Sequence, residues 1–173
     1  SQGYFNGVFP PGKKDPLLAG EVMKNLLYAH TEVYHLLKSL KNGDQSQIGL
    51  VKNITQFYPL RRWHVLDWYF SKILNDIFTN STIDLLLNGE FRFYLPGMAD
   101  LSYKNNKAIK ALDFIGLNYY SRWHVKGHLN PNEQFTFEKR KQDIQTDMPY
   151  SIYPEGFYKA LKTISKLEMP IIV

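Results

Sequence analysis

Apolar residues change their spacing several times along the chain. Between Pro16 and Lys41, Leu18, Val22, Leu26, Val33, Leu37 and Leu40 recur at three- and four-residue intervals, which predicts a helix with one apolar face. Asp15 before Pro16 supplies an N-cap and a first-turn pair. "KNGD", residues 41–44, ends that helix, and "QIGLVKNI", residues 47–54, reads as a strand whose end gathers polar residues. A second helix is expected over about Trp63 to Phe78, with Val65, Trp68, Ile73 and Ile77 inward. "STIDLLLNGE" offers a Ser or Thr cap, one or two short turns and a glycine stop. Residues 91–110 are mixed, with "LPG" as a turn. A buried strand follows at 111–120, then an irregular excursion over 121–153 with a hairpin through "EQFTFEKR". "YPEGFYKALKTISKLE" resumes helix, with Phe157, Leu161, Ile164 and Leu167 inward, and "MPIIV" begins another strand.

Helices that alternate with apolar strands predict parallel β/α units. The long connections follow strands and the helix-to-strand links are short, as in an α/β barrel, whose post-strand loops build the active face. The strand in "ALDFIGLNYYSR", residues 111–122, shows the pattern most sharply. Its apolar run gives way at once to Asn118, Tyr119, Tyr120, Ser121 and Arg122. Period-two alternation puts Asn118 and Tyr120 on one face and Tyr119 on the other, against packing.

Composition narrows the function classes. The chain has 173 residues, 44% hydrophobic and 15% aromatic, which suits a single globular domain and excludes a disordered chain. Its net charge of +5 comes without a dense basic stripe, so a solvated basic surface is expected and a nucleic-acid partner is not. No apolar run is long enough to span a bilayer, so no membrane partner is expected. There is no Cys, which removes disulfides and thiolate metal sites and fits a cytoplasmic location without establishing one. No signal peptide is visible, and both ends look cut. Among the five histidines, His124 and His128 follow a strand at a spacing that does not align them as helix neighbours, so no metal site is expected. Glycosylation sequons occur at Asn53 and Asn80.

"LDFIGLNYYSR" resembles the sixth barrel strand of glycoside hydrolase family 1, the β-glucosidase family. Further segments agree in order. "GYFNGVFPPG" (3–12) resembles the loop after the fourth strand, and "NLLYAHTEVYHLLK" (25–38) the fourth helix. "IGLVKNITQFYP" (48–59) resembles the fifth strand and its loop. "YSIYPEGFYKALK" (150–162) resembles the approach to the seventh strand, and "MPIIV" that strand itself. The resemblance implies an α/β fold, a partial (β/α)₈ TIM barrel running from after strand 4 to strand 7, with residues 1–173 as one incomplete catalytic domain. It implies a hydrolase acting on a small glycoside or oligosaccharide, with no cofactor.

Members of the family carry an acid/base Glu in an Asn-Glu-Pro motif and a nucleophile Glu in a Thr-Glu-Asn-Gly motif. By this registration the first lies just before Ser1 and the second just after Val173; the sequence contains neither. Retaining glycosidases need both carboxyl groups flanking the glycosidic bond. Glu90, Glu133 and Glu155 have no supporting constellation and are not substitutes. The resemblance gives Tyr120 a hydroxyl directed at the nucleophile and Asn118 a supporting amide beside it. It places Asn53 on the leaving-group side, and Tyr150 where the family often has a Trp platform for the aglycone. Ile54 replaces an often polar position. Two other readings stand beside the enzyme segment: a glycosidase-like binding or receptor protein, and an inactive truncated product. The open sheet of an isolated segment is expected to favour self-association.

Overall fold

The computed structural model describes residues 3–148 and 150–173. In chain order these form α1 (Pro16–Ser39), β1 (Gly49–Asn53), β2 (Gln56–Pro59), α2 (Val65–Asn75), α3 (Ser81–Asn88), β3 (Glu90–Leu95), β4 (Ala99–Lys104), β5 (Phe114–Asn118), β6 (Arg122–Gly127), β7 (Phe135–Glu138), α4 (Pro154–Ile164) and β8 (Ile171–Ile172). Two compact units result: one comprises the chain up to Ile48 with Ser81–Asp113, the other Gly49–Asn80 and everything from Phe114.

In the first unit, Asp15 caps α1 as expected, its Oδ1 accepting the Leu18 amide at 2.9 Å. The buried face differs from the expected stripe. Ala19, Gly20, Leu27 and Thr31 are buried, whereas Leu26 is 67% and Leu40 55% exposed. The reason is the neighbour. Residues 91–110, which lacked a readable element, form the antiparallel hairpin β3–β4, whose Phe91, Phe93 and Leu95 alternate inward. A Cβ on Gly20 would lie 2.9 Å from the Phe93 ring, so the helix packs through small residues that a search for large apolar side chains passes over. Lys104–Glu90 and Arg92–Asp100 ion pairs cross the hairpin's exposed face. α3 ends at Gly89, which has φ +73°. It does not start from a fresh Ser or Thr cap: the chain continues out of α2 through a π-helical turn, Asp76–Asn80.

In the second unit, β1, β5 and β8 form a parallel sheet in the order β1-β5-β8. Ile115, Leu117 and the following Ile54 are buried to within 2% of full coverage. Beyond their ends, the same two chains pair again as β2 and β6, still parallel, and β7 adds antiparallel to β6. The excursion after residue 120 is therefore less irregular than expected: the hairpin through "EQFTFEKR" exists, and its first strand is Arg122–Gly127. In α2, Ile73 and the following Ile77 are buried as expected, but Val65 (78%) and Trp68 (55%) are exposed and Asp67 is buried in their place. Ile164 and Leu167 are buried as expected, and Phe157 and Leu161 are half-buried.

Candidate functional site

The sheet ends define the site. Asn53 and Asn118 are register partners at the carboxyl ends of the parallel strands β1 and β5, and both are exposed. Gln56 next pairs with Arg122, so Tyr119, Tyr120 and Ser121 on one chain face only Ile54 and Thr55 on the other. This one-residue excess is a bulge, which bends the strand and re-aims its side chains. Each of the three residues takes a different task there. The Tyr119 hydroxyl donates to the Tyr153 carbonyl at 2.9 Å, and its ring packs on Phe157. Burial, with the neighbouring Tyr58 and Tyr153, pushes the Tyr119 hydroxyl up to about 12. Tyr119 is thus the packing residue, as expected. The Tyr120 ring is 55% exposed and stacks on Tyr150, with centroids 5.5 Å apart and planes 30° apart. Ser121 is buried and donates to the Ser151 carbonyl at 2.9 Å.

The sequence-predicted residues therefore form two adjoining pairs: the amides Asn53 and Asn118 by strand register, and the rings of Tyr120 and Tyr150 by stacking. An amide both donates and accepts, as a sugar hydroxyl does. A stacked aromatic pair offers an apolar face. A groove of about 730 Å³ between β2, α2 and α4, lined by Ile54, Phe57, Tyr58 and Lys159 among others, contains none of these four residues.

Sequence reasoning missed the polar network beside these two pairs. The Lys159 ammonium donates to the Tyr58 hydroxyl at 3.2 Å and pairs with Glu155 at 2.7 Å; Glu155 lies in the first turn of α4. Glu155 and Tyr58 hold Lys159 above the usual lysine range. Burial pushes Tyr58 up to about 12. Arg122 sits 3.9 Å over the Tyr153 ring and bonds Asp143 at 2.9 Å. His124 is buried, and that burial, aided by Arg140, lowers it to about 4, so it is neutral at ordinary pH. Only the alternation of "SRWHVKG" hinted at this, because it places Arg122, His124 and Lys126 on one face of a strand. Among the described residues no group of three His, Asp or Glu is arranged to hold a metal ion, and no helix is long and apolar enough to cross a membrane. His30 instead contacts the Ala111 carbonyl, and His128 the Thr136 hydroxyl.

Parallel strands alternating with helices define a β/α protein, a class of fold in which ligand sites lie at the carboxyl ends of the strands. The sequence pattern of glycosyl hydrolase family 1 matches residues 1–172, and the chain belongs to that family. It is 34% identical over 95% of its length to a 1,4-beta-D-glucan glucohydrolase of Thermotoga neapolitana, of which it covers 39%. It is 32% identical, again over 95%, to beta-glucosidase A of Thermotoga maritima, of which it covers 37%. A beta-glycosidase structure from Pyrococcus horikoshii superposes with a TM-score of 0.79 at 29% identity, over 98% of this chain and 38% of that one. The chain thus spans about two fifths of the length of the relatives it matches. The fold is of the TIM-barrel type, and the described strands form no closed barrel.

Proposed function

We propose that residues 1–173 are a segment of one catalytic domain of a retaining β-glycosidase, running from after the fourth barrel strand to the seventh. The substrate is a β-glucoside or a related small glycoside. The acid/base and nucleophile carboxylates come from sequence outside these residues, since neither family motif occurs within them. The observation that carries this reading is the pairing of Asn53 with Asn118 at the carboxyl ends of β1 and β5, beside the Tyr120–Tyr150 stack.

The roles follow from side-chain chemistry. Tyr120 donates a phenolic hydrogen bond to the nucleophile carboxylate, favouring its ionised form and its attack geometry. Asn118 supports the same carboxylate. Asn53 bonds a sugar hydroxyl on the leaving-group side. Tyr150 supplies the flat surface on which the aglycone rests, with less area than a Trp would give. The hydrolysis needs no cofactor in this scheme, because two carboxyl groups supply both the proton and the nucleophile. The isolated segment is expected to self-associate through sheet edges and through apolar side chains such as Val51, which is 63% exposed. The test is to incubate the full-length polypeptide with an aryl β-glucoside and follow the released sugar by proton NMR. The β-anomer should appear first; an α-anomer first, or no hydrolysis, contradicts the proposal.

A further inference from the structure

Tyr150 lies on a connection, yet its placement is tied at several points. Residues 144–146 and 150–152 lie against each other: the Thr146 amide donates to the Tyr150 carbonyl at 3.0 Å, the Ile152 amide donates to the Ile144 carbonyl at 2.8 Å, and Gln145 bridges Ser151. Asp143 stands at the base of this turn with its side chain only 4% exposed. One carboxylate oxygen accepts from the Arg122 guanidinium at 2.9 Å, and the other accepts from the Ser151 hydroxyl at 3.2 Å. The Ser151 carbonyl in turn accepts from Ser121, inside the bulge that carries Tyr120. One carboxylate therefore links the base of the Tyr150 turn, through Arg122 and Ser151, to the strand that presents Tyr120.

The charge balance fits a fixed tie. Burying a carboxylate is costly unless it is paired and hydrogen-bonded, and Asp143 is both. Arg122 is oriented by its stacking on Tyr153, 3.9 Å from the ring. The buried His124 ring lies 3.6 Å from Asp143 and stays neutral, so Arg122 is the cation that compensates the carboxylate. Arg140 anchors the other side of the segment by donating to the Pro59 and Leu60 carbonyls at 2.9 and 3.0 Å.

We infer that Asp143 is a positioning residue for leaving-group recognition: it holds Tyr150 stacked against Tyr120 and so sets the preference for aryl and other flat aglycones. This rests on the proposed role of Tyr150 and goes beyond it by naming what fixes the platform. An Ala at 143 leaves Arg122 and Ser151 without their shared acceptor. The turn then loosens, and the Tyr150 ring no longer stays in stacking position. Asn has one acceptor oxygen: it can serve Arg122 while its NH2 donates to the Ser151 hydroxyl, without the charge that pairs with the guanidinium.

The experiment uses the full-length polypeptide and two probes, p-nitrophenyl β-glucoside and methyl β-glucoside, with deuterium uptake of residues 143–153 measured in parallel. Asp143→Ala should raise KM for the aryl substrate about three- to tenfold, the range that loss of one aromatic stacking contact spans. It should leave the methyl glucoside within twofold and speed exchange at the Thr146 and Ile152 amides at least tenfold. Asp143→Asn, which keeps the bridge but not the charge, should fall between the wild type and Asp143→Ala in both measurements. Ser151→Ala, which removes one of the two bonds, should give the same selective pattern at smaller size, and it stands in should Asp143→Ala fail to fold. Equal losses on both substrates, or unchanged exchange, would overturn the inference. Tyr150→Ala separates the two readings. If it raises the aryl KM while the Asp143 and Ser151 variants do not, the platform stands and the tie falls. If it changes neither substrate, the platform itself is wrong and the inference falls with it.

Discussion

Asp67 shows how one carboxylate organises a loop. It is fully buried at the start of α2 and accepts from the Arg61 amide and guanidinium and from the Gly127 amide at 2.6–3.0 Å. Burial alone would raise its pKa; the Arg61 and backbone donors outweigh that and hold it at about 2. A pKa depressed on folding adds stability that is fully present above the unfolded value near 4 and is lost as pH falls through the folded one. Acid should therefore weaken this contact between about pH 4 and pH 2, by on the order of 2–3 kcal/mol. Asp67→Asn should cost about 2–3 kcal/mol at neutral pH, because it removes the carboxylate charge that the Arg61 and backbone donors stabilise. Thermal melts of both proteins from pH 2 to 7 check this: the two should converge at low pH, and a constant difference across the range would contradict the assignment.

At the scale of elements, packing at a glycine sets how closely α4 approaches the strand that carries Tyr119. A Cβ on Gly156 would fall 2.1 Å from the Tyr119 hydroxyl and 2.9 Å from the Gln56 side chain, which bonds the Gly156 carbonyl. Gly156→Ala should displace Tyr119 and lower stability by about 1–3 kcal/mol. Combining it with Tyr119→Phe, which removes the crowded oxygen, should recover part of the loss; a purely additive double variant would show that the two do not collide. Such close approaches explain what the sequence disclosed and what it hid. β1, β5, α4 and the N-terminal cap of α1 were legible because periodicity and capping residues are local signals. The resemblance singled out Asn53, Asn118, Tyr120 and Tyr150 one by one, but not the stacking of Tyr120 on Tyr150, which depends on the fold of a connection far along the chain. The buried face of α1 was not legible, because Gly20 and Ala19 carry no hydrophobic signal. The β3–β4 hairpin was hidden by the charged residues on its exposed face, and the Asp143 network by the distance in sequence between Arg122, Asp143 and Ser151.

At the scale of the molecule, membership of glycosyl hydrolase family 1 and a length of about two fifths of its relatives frame the activity. The 173 residues expressed alone should release no nitrophenol from an aryl β-glucoside above the buffer rate, and should run as aggregates on sizing. Saturable hydrolysis by a monodisperse sample would place the catalytic carboxylates inside the chain and overturn the registration. The central claim, that the polar ends of β1 and β5 serve the reacting sugar, has a more direct test in the full-length polypeptide. Tyr120→Phe removes one hydroxyl and keeps the ring that stacks on Tyr150. If that hydroxyl positions the nucleophile, steady-state kinetics on p-nitrophenyl β-glucoside should show kcat lowered on the order of 10²-fold with KM little changed. An unchanged kcat would contradict the account.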